Sequence, residues 1–377
     1  MTSGYVPGLA GVVATKSQIS DIDGQRGILK YRGYAIQELA EKSNFEETAY
    51  LVIEGELPTK QQLDKFSNEL KRSRNIEPAI LDMIKLFPKD GHPMSALQCA
   101  VAAMGMFYPR TVDDDQVNYE AGIRLIAQVP TIIAAFQRLR TGKKVVAPRD
   151  DLNHAANFLY MMNGEVPDEL AARVFDVALV LHVEHTTNAS TFTAMVTGST
   201  LADPYTTMAA AIGSLSGPLH GGANERVLGM LNEIGSVDKV KAAIEDRIAK
   251  KVRIPGMGHR EYKTMDPRAT LLKGLNERLF EKLGRSPLYD IALEVEKVVA
   301  GKLGKQGIWP NVDFYSGIAY EEMGIPVDLF TPLFALPRMA GWVAHWREQL
   351  IDNTIFRPTQ IYTGSDDRSY APIERRG

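Results

Sequence analysis

Apolar residues recur at three- and four-residue intervals along most of the chain, whereas apolar–polar alternation is confined to its start. Gln18-Ile19-Ser20-Asp21-Ile22-Asp23-Gly24 alternates, Asp23-Gly24 is a hairpin signal, and Ile28-Leu29-Lys30-Tyr31-Arg32 supplies the returning strand. From Ile36 onward the period is helical. Asn44 opens a segment with Thr48, Leu51 and Val52 at helical spacing, stopped near Gly55 and Pro58. Thr59 caps a second, in which Leu63, Phe66 and Leu70 recur. Leu170, Val174, Ala178 and Leu181 form one stripe over Asp168–Val183, and Val227, Leu228, Leu231 and Ile234 another over Ala223–Ile234. Asp266-Pro267 opens a helix through Leu271, Leu272, Leu275, Leu279 and Leu283 that Gly284 ends; Thr331-Pro332 repeats the opening for a helix through Trp346. The expected fold class is mainly α, with a small N-terminal β element. Glycines clustered at 213–222, 256–258 and 301–307 mark the expected hinges and ligand-facing turns.

Composition narrows the function classes. The chain has 377 residues, 45% of them hydrophobic, enough for a large core and for more than one domain. Lys and Arg number 43 against 46 Asp and Glu, so no global basic excess points to nucleic acid or an anionic membrane as the main partner. A single cysteine, Cys99, excludes an intrachain disulfide framework and a cysteine-built metal site. The stretch Val6–Ala14 is broken by Pro7, Gly8 and Gly11 and lacks the basic flank of a signal peptide. The longest apolar runs, Met94–Phe107 and Leu329–Trp346, contain Gln98, Pro337 and Arg338 and fall short of the ~20 apolar residues that span a bilayer. The cytosol is the expected compartment.

Two of the seven histidines stand out by setting. His220 lies in Gly217-Pro218-Leu219-His220-Gly221-Gly222-Ala223-Asn224 directly before a helix, and His259 in Pro255-Gly256-Met257-Gly258-His259. Glycines beside a histidine let backbone and ligand approach closely. A helix N-terminus disfavours imidazolium, so a histidine there can donate as a neutral ring to a developing oxyanion. Asp313, in Asn311-Val312-Asp313-Phe314-Tyr315-Ser316-Gly317, is either a helix cap or a general base whose pKa partial burial raises. Arg338 sits in an apolar run where an unpaired charge is costly, so it needs an anionic ligand or an internal carboxylate. Arg268, near a helix start, and Arg357, before Pro358, suit a dianion, since guanidinium forks match carboxylates.

Other chemistries lack their signatures. His182-x-x-His185 can set two imidazoles on one helical face, but without the His-Glu-x-x-His order of zinc proteases. Gly213-Ser214-Leu215-Ser216-Gly217 has leucine where a nucleophile elbow needs serine, and neither a phosphate loop nor a dinucleotide fingerprint occurs.

The segments around His220, His259 with Asp266-Pro267-Arg268, and Asp313, in that order, resemble the three catalytic segments of citrate synthases. The likeness extends from Ile22-Asp23-Gly24 and Tyr31-Arg32-Gly33-Tyr34 to Arg357-Pro358. It implies a large helical domain of residues 1–221 and 324–377 and a smaller one of residues 222–323 that closes over the substrates. The length resembles the compact form, so a homodimer is expected. The implied reaction condenses acetyl-CoA with oxaloacetate and hydrolyses citryl-CoA, with no metal or redox cofactor.

By the same resemblance Asp313 removes the methyl proton, His220 hydrogen-bonds the thioester oxygen, and His259 polarises and protonates the oxaloacetate carbonyl. Oxaloacetate would be bound by His185, His259, Arg268 and Arg338, with Arg357 arriving from the other subunit. Coenzyme A would lie along Val252, Arg253, Ile254, Pro255, Gly256, Met257 and Gly258, with Lys250, Arg253 and Lys263 as candidate phosphate contacts. His185-Thr186-Thr187-Asn188 carries threonine where many relatives are acidic. The closest rival is a 2-methylcitrate synthase using propionyl-CoA. One methylene discriminates by only ~1–3 kcal/mol, so dual use is an open alternative. A catalytically silent scaffold on the same fold is disfavoured by the presence of all three catalytic-type residues.

Overall fold

The structure, a computed structural model, describes residues 4–376. Its sheet has three short antiparallel strands in sequence order, β1 (Ser20–Asp23), β2 (Ile28–Tyr31) and β3 (Tyr34–Ala35). Asp23 pairs with Ile28, so residues 24–27 form a four-residue connection; the left-handed residue is Gly27, at φ 65°. The Asp23 carboxylate holds this turn by accepting from the Gln25 and Arg26 N–H groups at 3.1 and 3.0 Å. Everything after the sheet is helical or irregular, as the apolar period predicts.

The helix Phe330–Ile351 is buried on all sides from Phe330 to Trp346, because its apolar residues leave no polar face until the last turn. Around it pack the helices Phe45–Glu54, Asp115–Arg140, Glu169–His182, Ala189–Gly198 and Pro204–Leu215. At Gly341 the helix meets the Val183 backbone so closely that a Cβ would overlap the Val183 carbonyl oxygen. This contact seats the chain just before His185 against the helix that carries Arg338. A second group, the helices Ala223–Ile234, Val237–Ala249, Pro267–Leu283, Pro287–Leu303 and Val312–Glu322, packs largely on itself.

Local chemistry sets the helix ends. Thr59 and Gln62 form a reciprocal capping box, and the Asn44, Asp168, Asp266 and Asn311 side chains accept from first-turn N–H groups. Three expectations shift in detail. The last long helix starts at Phe330, ahead of Thr331-Pro332, because a one-turn 3-10 segment, Val327–Leu329, leads into it. Gly213 and Gly301 lie inside helices, not turns. His182 ends its helix, and His185 lies beyond it in a loop with Thr186 at φ 51°, so the two imidazoles do not share a helical face.

Candidate active site

A cleft of about 1850 Å³ is lined by His185, His220, His259, Arg268, Asp313 and Arg338 together with residues 251–258. Three chain segments far apart in sequence thus bring their singled-out residues to one cavity. Two of them are laced by backbone. The Gly258 N–H donates to the Trp309 carbonyl at 2.8 Å, Asn311 N–H to the Gly256 carbonyl at 2.9 Å, and Asn311 Nδ2 to the Gly258 carbonyl at 2.9 Å. Gly256 and Gly258, at φ 72° and 87°, allow the chain to make this pairing. The pairing sets the segment ending at His259 beside the one that begins the helix of Asp313.

The hydrogen bonds assign the protons of both rings. His259 Nδ1 faces the N–H groups of Glu261 and Tyr262, at 3.0 and 3.3 Å, so it accepts and the ring proton sits on Nε2. His220 Nε2 accepts from the Ser190 N–H at 3.2 Å, which leaves the proton on Nδ1. Burial pushes both rings down to about 4, helped by Arg338 near His220 and Arg268 near His259. Both are therefore neutral donors at pH 7. Buried His185 is also held well below its ordinary value, by burial and then Arg268, and its Nε2 meets the Tyr262 hydroxyl at 3.2 Å.

Asp313 is not the cap. Asn311 caps the helix and accepts from the Asp313 N–H at 3.1 Å, while Asp313 Oδ1 is buried with no hydrogen-bond partner among the described residues. Burial lifts this carboxyl to about 7, against the opposing pull of Arg268 and Arg338. A carboxylate that is poorly solvated and close to neutral pH in its affinity is a competent base for a weakly acidic C–H.

The two buried arginines differ. Arg268 forks onto Asp266 through Nε and Nη2, at 3.1 and 2.8 Å, which leaves Nη1 free of a partner among the described residues. Arg338 has no ion-pair partner among the described residues. Its Nε donates to the His182 carbonyl at 2.8 Å, its guanidinium lies 4.6 Å from the Phe334 ring centroid, and its buried Nη2 is orphaned. Burial lowers it to about 10, and Glu184 supports its charge only through space. Of the two readings left open by the sequence, the structure removes the close internal carboxylate.

Not every expected contact faces the cleft. Val252, Arg253, Ile254, Pro255, Gly256, Met257 and Gly258 line it; Lys250 and Lys263 do not. Lys250 pairs with Asp246 at 2.9 Å, and Lys263 Nζ donates to the Arg260 carbonyl at 2.8 Å. Arg357 is exposed outside this chain's own cleft and, among the described residues, donates only to its neighbour, the Pro358 carbonyl, at 3.1 Å. Sequence reasoning missed Ser190, which also takes the Trp342 indole N–H at 3.2 Å, as well as Tyr262 and the segment 8–15 along the cleft. No pattern marks Ser190, since its role depends on a histidine thirty residues away. Among the described residues no group of three His, Cys, Asp or Glu side chains is placed to hold a metal ion.

A profile of the citrate synthase C-terminal domain family matches residues 8–359. A curated citrate synthase of Synechocystis is 55% identical over 373 residues, 99% of this chain and 94% of its own length. The crystal structure of the citrate synthase of Pyrobaculum aerophilum superposes with a TM-score of 0.93 at 43% identity, covering 99% of this chain and 95% of that one. The citrate synthase of Thermoplasma acidophilum, solved in a ternary complex with carboxymethyl coenzyme A and oxaloacetate, gives a TM-score of 0.94 at 32% identity over 98% of this chain and 99% of that one.

Proposed function

The chain belongs to the citrate synthase family, and from that premise we propose that its cleft condenses acetyl-CoA with oxaloacetate and hydrolyses the citryl-CoA formed. The observation that carries the assignment of roles is the convergence of one raised carboxylate, two neutral imidazole donors and two incompletely paired guanidinium groups on one cleft. Asp313 takes a proton from the acetyl methyl group. His220 Nδ1–H hydrogen-bonds the thioester oxygen as it gains enolate character. The enol carbon attacks the oxaloacetate carbonyl carbon, and His259 Nε2–H protonates that carbonyl oxygen to the tertiary hydroxyl. Water then cleaves the thioester and releases coenzyme A. His185, Arg268 and Arg338 receive the oxaloacetate carboxylates. Acetyl-CoA is a substrate, and no further cofactor enters these steps.

The assembly and domain division belong to the same proposal. The five helices between residues 223 and 322 pack chiefly on one another, which supports a closing unit of residues 222–323 against residues 1–221 and 324–377. The tail after Ile351 is irregular up to the 3-10 turn Ile373–Arg375 and exposes Ile355, Ile361, Tyr362, Tyr370 and Ile373, apolar positions suited to contact with a second copy of the chain. In such a homodimer Arg357 would reach the partner's oxaloacetate site. The lone cysteine, Cys99, supports a reducing, cytosolic setting. No helix among the described residues is long and apolar enough to cross a membrane.

Thiol release from acetyl-CoA and from propionyl-CoA, each with oxaloacetate, tests the reaction. The expected result is a higher kcat/KM with acetyl-CoA. Turnover of propionyl-CoA alone overturns it.

A further inference from the structure

Gly24 has a job that its place in a hairpin does not explain. Its φ is not left-handed, so the turn itself does not demand a glycine there. What demands it is the loop between His259 and Arg268. A Cβ on Gly24 would overlap the Glu261 carbonyl oxygen, lie 2.6 Å from the Glu261 carbonyl carbon and 3.3 Å from the Tyr262 nitrogen. Gly24's own carbonyl accepts the Lys263 N–H at 2.9 Å. At the far end of the same turn a Cβ on Gly27 would come within 2.9 Å of Thr264 Cγ2 and 3.0 Å of the Met265 carbonyl. The Glu261–Met265 segment therefore packs against the Gly24–Gly27 connection, backbone directly on backbone at Gly24 and through Thr264 Cγ2 and the Met265 carbonyl at Gly27.

That backbone carries the two N–H groups, of Glu261 and Tyr262, that face His259 Nδ1 and keep its proton on Nε2. It also carries the Tyr262 hydroxyl that meets His185 Nε2. We infer that the β1–β2 turn is a positioning element for the oxaloacetate site: Gly24 seats the Glu261–Lys263 backbone, and through it fixes the proton and direction of His259. The inference rests on the carbonyl-polarising role proposed for His259. The turn touches no substrate. Its contribution is to the aim of the N–H that does, where a displacement of about 1 Å costs on the order of a hundredfold in rate.

The test reads carbonyl polarisation directly, by the ¹³C resonance of [2-¹³C]oxaloacetate bound to the full-length enzyme. A well-aimed Nε2–H shifts this resonance downfield of free oxaloacetate. Gly24→Ala is expected to remove at least half of that shift and to lower kcat about ten- to a hundredfold, with KM for acetyl-CoA within about twofold of the parent under the same aim-only argument. Gly274→Ala, in an open helical position where an added Cβ meets nothing within 4 Å, should change neither reading. If Gly24→Ala does not fold, Asp23→Ala decides. It loosens the same turn by removing the carboxylate that holds Gln25 and Arg26, and adds nothing toward the loop. A smaller loss of the shift is then expected. An unaltered shift in the folded variant, whether kcat falls or not, overturns the inference. A parent enzyme that shows no downfield shift at all instead overturns the role given to His259.

Discussion

Replacing Asp313 by asparagine should damage the enzyme and stabilise the fold at once, and the two effects share one cause. The carboxyl is lifted from its ordinary 3.8 to about 7 by burial, and its Oδ1 has no hydrogen-bond partner among the described residues. In the unfolded chain the group ionises near its ordinary value; in the folded chain it holds its proton up to about 7. Between those values the folded state binds the extra proton, so stability declines as pH rises and the penalty is complete only above the folded pKa. A shift of roughly three units corresponds to a ceiling of about 4 kcal/mol at pH 8, and to well under 1 kcal/mol at pH 4. Asparagine keeps the shape and drops the charge. The thermal midpoint of Asp313→Asn should therefore match the parent near pH 4, exceed it increasingly from there to pH 7, and run parallel to it above. Calorimetry across that range supplies the measurement, with thiol release on the same samples. kcat should fall by at least ~10²-fold, the lower range for losing a general base. A midpoint difference that does not vary with pH would refute the burial argument. Near-parental turnover would remove Asp313 from the chemistry.

The same carboxyl sets the acid limb of the parent enzyme: log kcat/KM for acetyl-CoA should fall as pH drops below about 7, and Asp313→Asn should lose that limb in its residual activity. His220→Ala should lower kcat by ~10²–10³-fold with circular dichroism unchanged, the scale of losing one oxyanion donor; full activity would make the histidine structural. Ser190→Ala should produce a smaller kcat loss at unchanged oxaloacetate KM, since it keeps the N–H to His220 and removes only the hydroxyl 2.8 Å from Nε2. Arg357→Ala should raise the oxaloacetate KM by roughly ten- to 150-fold, the worth of a charge-assisted pair of ~1.5–3 kcal/mol. Mixing it with Asp313→Asn chains at low oxaloacetate should recover about half of the parent activity per heterodimer, because one site then holds its own Asp313 and an intact Arg357 from the partner. No recovery, with subunit exchange verified, places Arg357 in its own chain's site or in none.

Much of the site was legible because its chemistry is written in local settings. Glycines around His220 and His259, an Asp-Pro-Arg helix opening and one carboxylate among aromatics are sequence-adjacent features. The Asp313 ambiguity was not resolvable that way. Asn311 and Asp313 are both good cap residues, and only the backbone path shows that Asn311 takes the N–H and leaves Asp313 facing the cleft. Arg338 posed the same kind of question, and only the tertiary structure shows that no carboxylate among the described residues comes within ion-pair distance of it.

What the chain alone determined is its helical period, caps such as Thr59, its short hairpin and the candidate groups for proton transfer, since each depends on neighbours within about a turn of chain. What only the tertiary structure decided is the state of those groups. The proton sits on His259 Nε2 because two downstream N–H groups fold back onto Nδ1, and on His220 Nδ1 because Ser190 arrives from thirty residues away. Asp313 rises to about 7 because packing strips its water. Gly24 reads as a turn residue in sequence and proves to be a seat for the His259 loop in space. Desolvation and hydrogen-bond direction depend on which distant segments meet, and no local pattern encodes that.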